Sequence, residues 1–425
     1  MKNKLVRILL ISVIAFPSIS NAQIKDKTLN KLIDRSIEVS PKTKMLQAKL
    51  NAAKNRIAQS SNLPDPILSL SLMNLPTNSF SFTQEPMTGK VFGLSQVIPF
   101  PGKLNAMGEV TAKDAEIVQK EIEDAINEIK KGVSQSYHEL KFVRKAISIS
   151  ESTKKLLKDI AEVVRIKYSV STASQQNLLK VELEITNVSD RIEELKSKEL
   201  TQLAILNSYL LNTDSEKILT GEITDFEFIN LKMIQLDSIA VNNRPYLQGI
   251  RLAENRAKLM ELAAKFDYYP NFNAGVQYSQ RDEIAKTQTP LNDFFSVMVG
   301  ISLPLNYGGK VDAKVDEAVS MQNLYSQQYS LALQMLNANF GSSIAKLNSL
   351  QERIKLLLEG LLPQANQTLT TTLSSYQVGD IDFINVIDAQ NKLYQIETNL
   401  YRLKTDYLKE VNELEFLIGA KLMNL

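Results

Sequence analysis

The chain lays out one plan twice, at a spacing of about 207 residues. Leu63-Pro64-Asp65-Pro66 closes a helix-patterned stretch over about 29–61, and Tyr269-Pro270-Asn271-Phe272 closes a matching one over about 237–267. Pro99-Phe100-Pro101-Gly102-Lys103 then answers to Pro304-Leu305-Asn306-Tyr307-Gly308-Gly309-Lys310, and Tyr168-Ser169-Val170-Ser171 to Tyr376-Gln377-Val378-Gly379. From that tyrosine onward the copies run without a gap: Val170 with Val378, Asn177 with Asn385, Ile192 with Leu400, Leu206 with Leu414, Leu210 with Ile418. Only two copies, each of about 200 residues, mean a duplicated fold and not a short-repeat solenoid. Each copy reads helix, strand, strand, long helix, turn, helix. The expected division is 23–212 for the first repeat, 213–236 for a linker, and 237–425 for the second repeat.

The strands are expected at about 66–75 and 91–99 in copy one, and at about 271–280 and 294–304 in copy two. Leu68, Leu70 and Leu72 alternate with Ser69 and Ser71. Phe295, Val297, Val299 and Ile301 alternate with Ser296, Met298, Gly300 and Ser302, and Phe272, Ala274, Val276 and Tyr278 with Asn273, Gly275, Gln277 and Ser279. A period of two puts one set on each face of a sheet. A water-exposed antiparallel sheet gives the same alternation. Strands of roughly 9–10 residues with a second face of small, uncharged groups also suit a membrane β-strand, apolar side to lipid and polar side to a lumen. Four strands cannot close a useful barrel, and open edges are not tolerated in lipid, so membrane strands here require several chains to share one barrel. The connecting segments 76–90 and 281–293 read as surface loops.

The helical parts are long. From Leu104 to about Lys167 there is no proline, and Ile122, Ile126, Ile129, Val133, Tyr137, Leu140, Val143 and Ile147 follow helical spacing. About 64 residues at 1.5 Å each make a rod of about 95 Å, too long for one compact globule and suited to a coiled-coil barrel or stalk. The matching helix runs from Val311 to about Tyr376, with a bend or break expected at Gly341 and at Gly360-Leu361-Leu362-Pro363.

Residues 1–22 have the three parts of a secretory signal: Lys2, Lys4 and Arg7, the apolar run from Ile8 to Phe16, and Ser20-Asn21-Ala22 before the expected cleavage. With no cysteine, disulfides, thiol nucleophiles and cysteine-held metals are excluded, as is an N-terminal lipid anchor. The single histidine, His138, sits beside Glu139 on a helix with no metal-ligand spacing around it, and the 11 methionines are scattered. Gly308-Gly309-Lys310 lacks the rest of a phosphate loop. A net charge of +2 gives no reason to expect nucleic acid. The expectation is therefore a non-enzyme without cofactor or metal.

These features resemble the TolC-like outer-membrane efflux proteins, in the duplicated plan and in three landmarks. The landmarks are Leu63-Pro64-Asp65-Pro66, Gln96-Val97-Ile98-Pro99-Phe100-Pro101-Gly102-Lys103, and Tyr376-x-x-Gly379 followed by Asn385-Val386-Ile387-Asp388-Ala389-Gln390. The Pro-Asp-Pro and Pro-Phe-Pro-Gly-Lys versions look most like the heavy-metal branch of that family. The resemblance spans essentially the whole mature chain. It implies a mainly α fold with a small transmembrane β part: a long coiled-coil helical barrel plus a 12-stranded β-barrel shared by a homotrimer. It also implies a periplasmic adaptor (membrane-fusion) protein and an inner-membrane transporter of the RND type as partners, with the chain as their passive exit duct through outer-membrane lipid. An exported coiled-coil structural or surface protein without a pore is the competing expectation.

On that resemblance the turns Tyr168–Ser174 and Tyr376–Asp382 become the periplasmic tips. Thr172 with Gln175 three residues on reads as a capping box, and Asp380 stands at the equivalent position in copy two. The family's entrance carries rings of aspartate, and the matching positions here are Asn385 and Asp388, so only the second ring keeps its charge. Asn385, Asp388, Lys392, Gln395 and Asn399 equally read as an ordinary polar helix face, with Asp388 and Lys392 an i,i+4 pair. Asp380 and Asp382 read as helix caps as readily as pore groups.

Overall fold

The computed structural model of the protein describes residues 27–212, 218–224, 226–230 and 232–422. The export signal over 1–22 lies outside the described residues, as does part of 213–236.

Each repeat opens with a broken helix, not the single one expected over 29–61 and 237–267. Helix α1 (Lys27–Val39) stops at Ser40, and α2 (Pro41–Ser61) restarts at once. Proline has no N–H to donate and forces its predecessor out of the helical region, so it opens a helix but cannot sit inside one. Ser40 caps the new start by accepting the Thr43 N–H at 3.3 Å. Copy two does the same with α5 (Met233–Asn243), extended Arg244 and α6 (Pro245–Lys265). Both second helices are 21 residues long.

Strands β1 (Ile67–Met73), β2 (Gly89–Ile98), β3 (Asn271–Gln280) and β4 (Phe294–Ser302) form one antiparallel sheet in the order β1-β2-β3-β4. Helix α3 (Lys103–Ser169) runs unbroken for 67 residues, about 100 Å at 1.5 Å per residue. It turns into α4 (Gln175–Leu210). Its counterpart α7 (Lys310–Leu356) passes through Gly341 without interruption, because the flanking Phe340, Ser343 and Leu347 are buried and an interior glycine costs only about 1 kcal/mol. The break comes where Gly360 and Pro363 stand, as one π-helical turn over Leu357–Leu361 before α8 (Leu362–Val378). Helix α9 (Phe383–Ile418) completes the second repeat.

Packing turns these elements into a layer four members wide along its whole length. Nearest the sheet the helices lie in the order α2-α3-α6-α7, the same order as the strands they join. Further along, α4 replaces α2 and α9 replaces α6, giving α4-α3-α9 with α7 and α8. One flank of the protomer is thus β1, α2 and α4; the other is β4, α7 and α8.

At the changeover sit α1, α5 and the described parts of 218–232, a belt against the layer. Phe226 and Phe228 pack on buried Tyr407, whose hydroxyl accepts the Ile229 N–H at 2.7 Å. Leu29, Leu32 and Ile33 of α1 cover Tyr137, Leu140 and Leu206.

Several charged groups between neighbouring helices are paired. Glu139 of α3 accepts from Arg402 at 2.6 Å and Lys409 at 2.9 Å. Burial alone would raise its carboxyl, but those two hydrogen bonds outweigh burial and hold it below the ordinary glutamate value. No helix among the described residues is long and apolar enough to cross a membrane.

Candidate functional site: a two-faced sheet and a double helical tip

Strand register sorts the sheet into rows of like character. Leu70, Phe92, Tyr278 and Phe295 stand side by side, and so do Leu68, Leu94, Val276 and Val297. One residue along, on the opposite face, the rows are Ser69, Gly93, Gln277 and Ser296, then Ile67, Ser95, Gly275 and Met298. Gly89, Val91 and Gly93 are buried, whereas Phe92 and Leu94, which alternate with them, are exposed. In the two central strands the small-residue face is therefore the shielded one, with Gly275 of β3 buried as well. The apolar face is open, with Leu68, Leu70 and Val297 each about seven-tenths exposed and Val299 77%. Contiguous apolar area of that kind on a water-facing surface would be anomalous.

Among the described residues the two edge strands carry no partner beyond the sheet itself, so β1 and β4 present unpaired backbone groups along their outer sides. At the far end of the sheet the loops hold each other. Ala285 N–H donates to the Thr83 carbonyl at 3.0 Å, and Arg281 donates to the Pro86 carbonyl at 3.1 Å.

Where the sheet meets the helices, landmarks from the two copies come together. Phe100 of the Pro-Phe-Pro turn stacks on Tyr269 of copy two, with centroids 4.5 Å apart. Lys103 pairs with Asp267 at 2.7 Å, and Lys314 approaches the same carboxylate at 2.5 Å. Burial pushes the Asp267 carboxyl up, and the hydrogen bonds from the two lysines outweigh it, leaving the group below its ordinary value. This junction was missed as a site in the sequence. Of its residues, Phe100, Lys103 and Tyr269 stood in the repeat landmarks, whereas Asp267 and Lys314 carried no local signal.

At the opposite end both turns have the same geometry. In copy two, Gly379 takes a left-handed backbone at φ 91°, and the Asp380 N–H reaches back to the Ser375 carbonyl at 3.0 Å. In copy one Ser171 takes the left-handed place at φ 60°, and the Thr172 N–H reaches the Lys167 carbonyl at 2.8 Å. Both are Schellman endings, a turn that prefers glycine at its left-handed residue. Ser171→Gly is therefore expected to stabilise the first tip by about 0.5–1 kcal/mol, and Gly379→Ser to cost the second about 1–2 kcal/mol. Hydrogen-exchange protection of the tip amides, rising in the first variant and falling in the second, checks both.

The capping assignments need correction. Thr172 does not form a capping box with Gln175: its hydroxyl donates back to the Lys167 carbonyl at 3.0 Å, and Ser174 begins α4. Asp380 likewise belongs to the turn, and the cap position of α9 is Asp382, whose side chain makes no capping hydrogen bond. The reason is the Schellman ending, which uses residues 172 and 380 to close the preceding helix, so that the next starts two residues later.

Tyr376 is buried and rests on Phe383 with centroids 5.3 Å apart, while Tyr168 is exposed. Burial pushes the Tyr376 hydroxyl up, with Asn177 opposing it. Lys167 joins the two tips: its Nζ donates to the Tyr376 and Gln377 carbonyls at 2.8 and 3.0 Å and lies over the Tyr376 ring. A cation at a helix C-terminus is favourably placed. Sequence reading missed this contact, which pairs residues 209 apart.

Asn385 and Asp388 lie exposed on α9, on one stripe with Lys392, Gln395 and Asn399, while Phe383, Val386, Ile387 and Ala389 are buried between them. The i,i+4 pair expected of Asp388 and Lys392 is not formed: among the described residues no ion pair links them. Among the described residues, no group of His, Cys, Asp and Glu is arranged to hold a metal ion.

Residues 236–420, the second repeat, match the family described as Outer membrane efflux protein. Outer membrane protein TolC of Vibrio cholerae serotype O1 is 21% identical over 247 residues, covering 56% of this chain and 52% of TolC. The chain thus spans about half the length of the curated relatives it matches. Among solved structures, the outer membrane protein VceC of Vibrio cholerae superposes with a TM-score of 0.74 at 17% identity, over 93% of this chain and 97% of VceC. CusC superposes with a TM-score of 0.73, also at 17% identity, over 93% of each chain. Equal identity to both does not single out the heavy-metal branch. The family match thus lies on the second repeat and TolC is a relative in sequence over part of its length, while the fold shared with VceC and CusC extends over both repeats.

Proposed function

We propose that the protein is the outer-membrane exit duct of a tripartite efflux pump, formed by three copies whose four-stranded sheets close a 12-stranded barrel. The observation that carries this reading is the pair of open flanks. The protomer is four members wide from sheet to tip, with unpartnered edges on both sides among the described residues and an exposed apolar sheet face. Lipid tolerates such a sheet only when neighbouring copies pair with β1 and β4. The same rotation brings α2 and α4 of one copy against α7 and α8 of the next, which extends the barrel into a helical tunnel in the periplasm. A heterologous contact of this kind closes into a ring when the rotation allows it.

Export requires the signal over 1–22, with cleavage after Ala22. Substrates enter at the tips, where a periplasmic adaptor and an inner-membrane transporter of the RND type deliver them. The chain supplies a conduit and no catalytic step, and the energy comes from the transporter. Asp388 forms an acidic ring at the entrance, beside an uncharged ring of Asn385, and the residues 168–175 and 376–382 form the tips that the adaptor draws apart.

Three measurements on the full chain test this. It should fractionate with the outer membrane on a sucrose gradient. It should run as a heat-modifiable trimer in detergent, and it should conduct ions in planar bilayers. A monodisperse monomer in detergent-free buffer would instead favour the exported coiled-coil protein without a pore.

A further inference from the structure

We propose that Lys392 is a selectivity-determining residue: it places a cationic ring one helical turn from Asp388, so that the entrance carries balanced charge and does not favour cations. This rests on the exit-duct reading. Along the first four turns of α9 the side chains that escape packing form one stripe, of which Asp388 and Lys392 are the charged members. Among the described residues neither side chain makes an ion pair. Four residues of helix separate the two by about 6 Å. That is within the screening length of about 8 Å at physiological salt, so an ion at one ring feels the other.

The stripe lies on the face of the layer that the belt leaves bare. At the level of the belt, Tyr407 of α9 is covered by Phe226 and Phe228. Its neighbours Asp406, Glu410 and Glu413 line instead an open groove completed by α3 and α7, with no described belt residue in it. Three belts inside a three-chain tunnel would plug it, so the belt is outside and the bare polar face lines the lumen.

The duplication gives an independent indication. The α4 positions in register with Asp388 and Lys392 are Lys180 and Glu184, which invert the sign at both levels. An entrance built from α9 alone has three negative charges below three positive ones. An entrance built from both repeats sums to zero at each level. Either way the acidic ring is offset.

The test is the reversal potential of the full-length channel in planar bilayers under a potassium chloride gradient. Wild type should show weak selectivity. Lys392→Gln should shift permeability toward cations by roughly tenfold, the effect Coulomb's law gives for removing three charges beside a water-filled pore, and Asp388→Asn should shift it toward anions. Lys392→Arg should behave as wild type. Conducting channels in which Lys392→Gln leaves the reversal potential unchanged would overturn the assignment of Lys392 and leave the duct intact. Absence of any conductance from wild type would overturn the duct reading, and this inference with it.

Discussion

Val297→Arg is expected to abolish assembly of the trimer in the outer membrane, whereas Ser296→Arg, one residue away, is expected to assemble normally. Val297 lies in the middle of β4, opposite Val276, in the row that continues through Leu94 to Leu68. It is 68% exposed on the apolar face. An arginine facing lipid at mid-depth costs about 2–4 kcal/mol in a membrane barrel. A trimer carries three, so the total reaches roughly 6–12 kcal/mol, comparable with the whole stability of an ordinary domain. Ser296 points to the small-residue face, in the row of Gln277 and Gly93, where on the exit-duct reading a cation meets water and alters conductance. Heat-modifiable trimer on gels, together with its share of the outer-membrane fraction, separates the two variants. Equal assembly of both would mean that the apolar face does not touch lipid.

Arg244→Ala is expected to cost about 3–5 kcal/mol, the loss typical of breaking a buried ion pair from one side. Arg244 is 6% exposed at the break between α5 and α6. Its guanidinium pairs with Asp124 of α3 at 3.3 Å, donates to the Phe416 carbonyl of α9 and lies 3.9 Å from the centre of the Phe416 ring. One side chain therefore holds three helices at the changeover of the layer. Burial pushes the Asp124 carboxyl up although Arg244 opposes it, so truncating the arginine strands a carboxylate in a site that already disfavours its charge. Asp124→Asn should cost clearly less, because the amide carries no charge and the Phe416 contacts survive. Arg244→Lys should fall between, keeping the charge and losing the planar fork. Thermal melting followed by the helical circular-dichroism signal ranks the three. A melting temperature for Arg244→Ala within error of wild type would show that the junction is held elsewhere.

Gly419 belongs to the same junction. Its backbone is left-handed at φ 72°, and a side-chain carbon there would come within 2.5 Å of the Asn243 carbonyl oxygen. The chain end of α9 thus fits under the break in the second repeat only because this residue has no side chain. Nothing in the local pattern around Gly419 distinguishes it from an ordinary helix-ending glycine.

That contrast runs through the molecule. Alternation in β1 and β4 told which residues share a face, because period two is a property of one strand. The long stripe from Ile122 to Ile147 told that α3 is a helix with one packed side, and the breaks at Gly360 and Pro363 were visible for the same local reason. The tips were legible as turns. Their capping was misassigned because a Schellman ending and a capping box compete for the same short polar residues, and only backbone geometry decides between them.

The amino-acid order by itself determined the duplication, the strand faces, the long rods and the family likeness, all of which are written in spacings along one stretch of chain. Tertiary structure alone decided that strands and helices stand in the same four-abreast order, leaving matching bare flanks from sheet to tip. It also decided which distant groups meet: Lys167 with Tyr376 across 209 residues, Arg244 with Phe416 across 172. A periodicity states which way a side chain points from its own element. It carries no information on which element lies there, because that depends on how apolar faces far apart in the chain fit together in space.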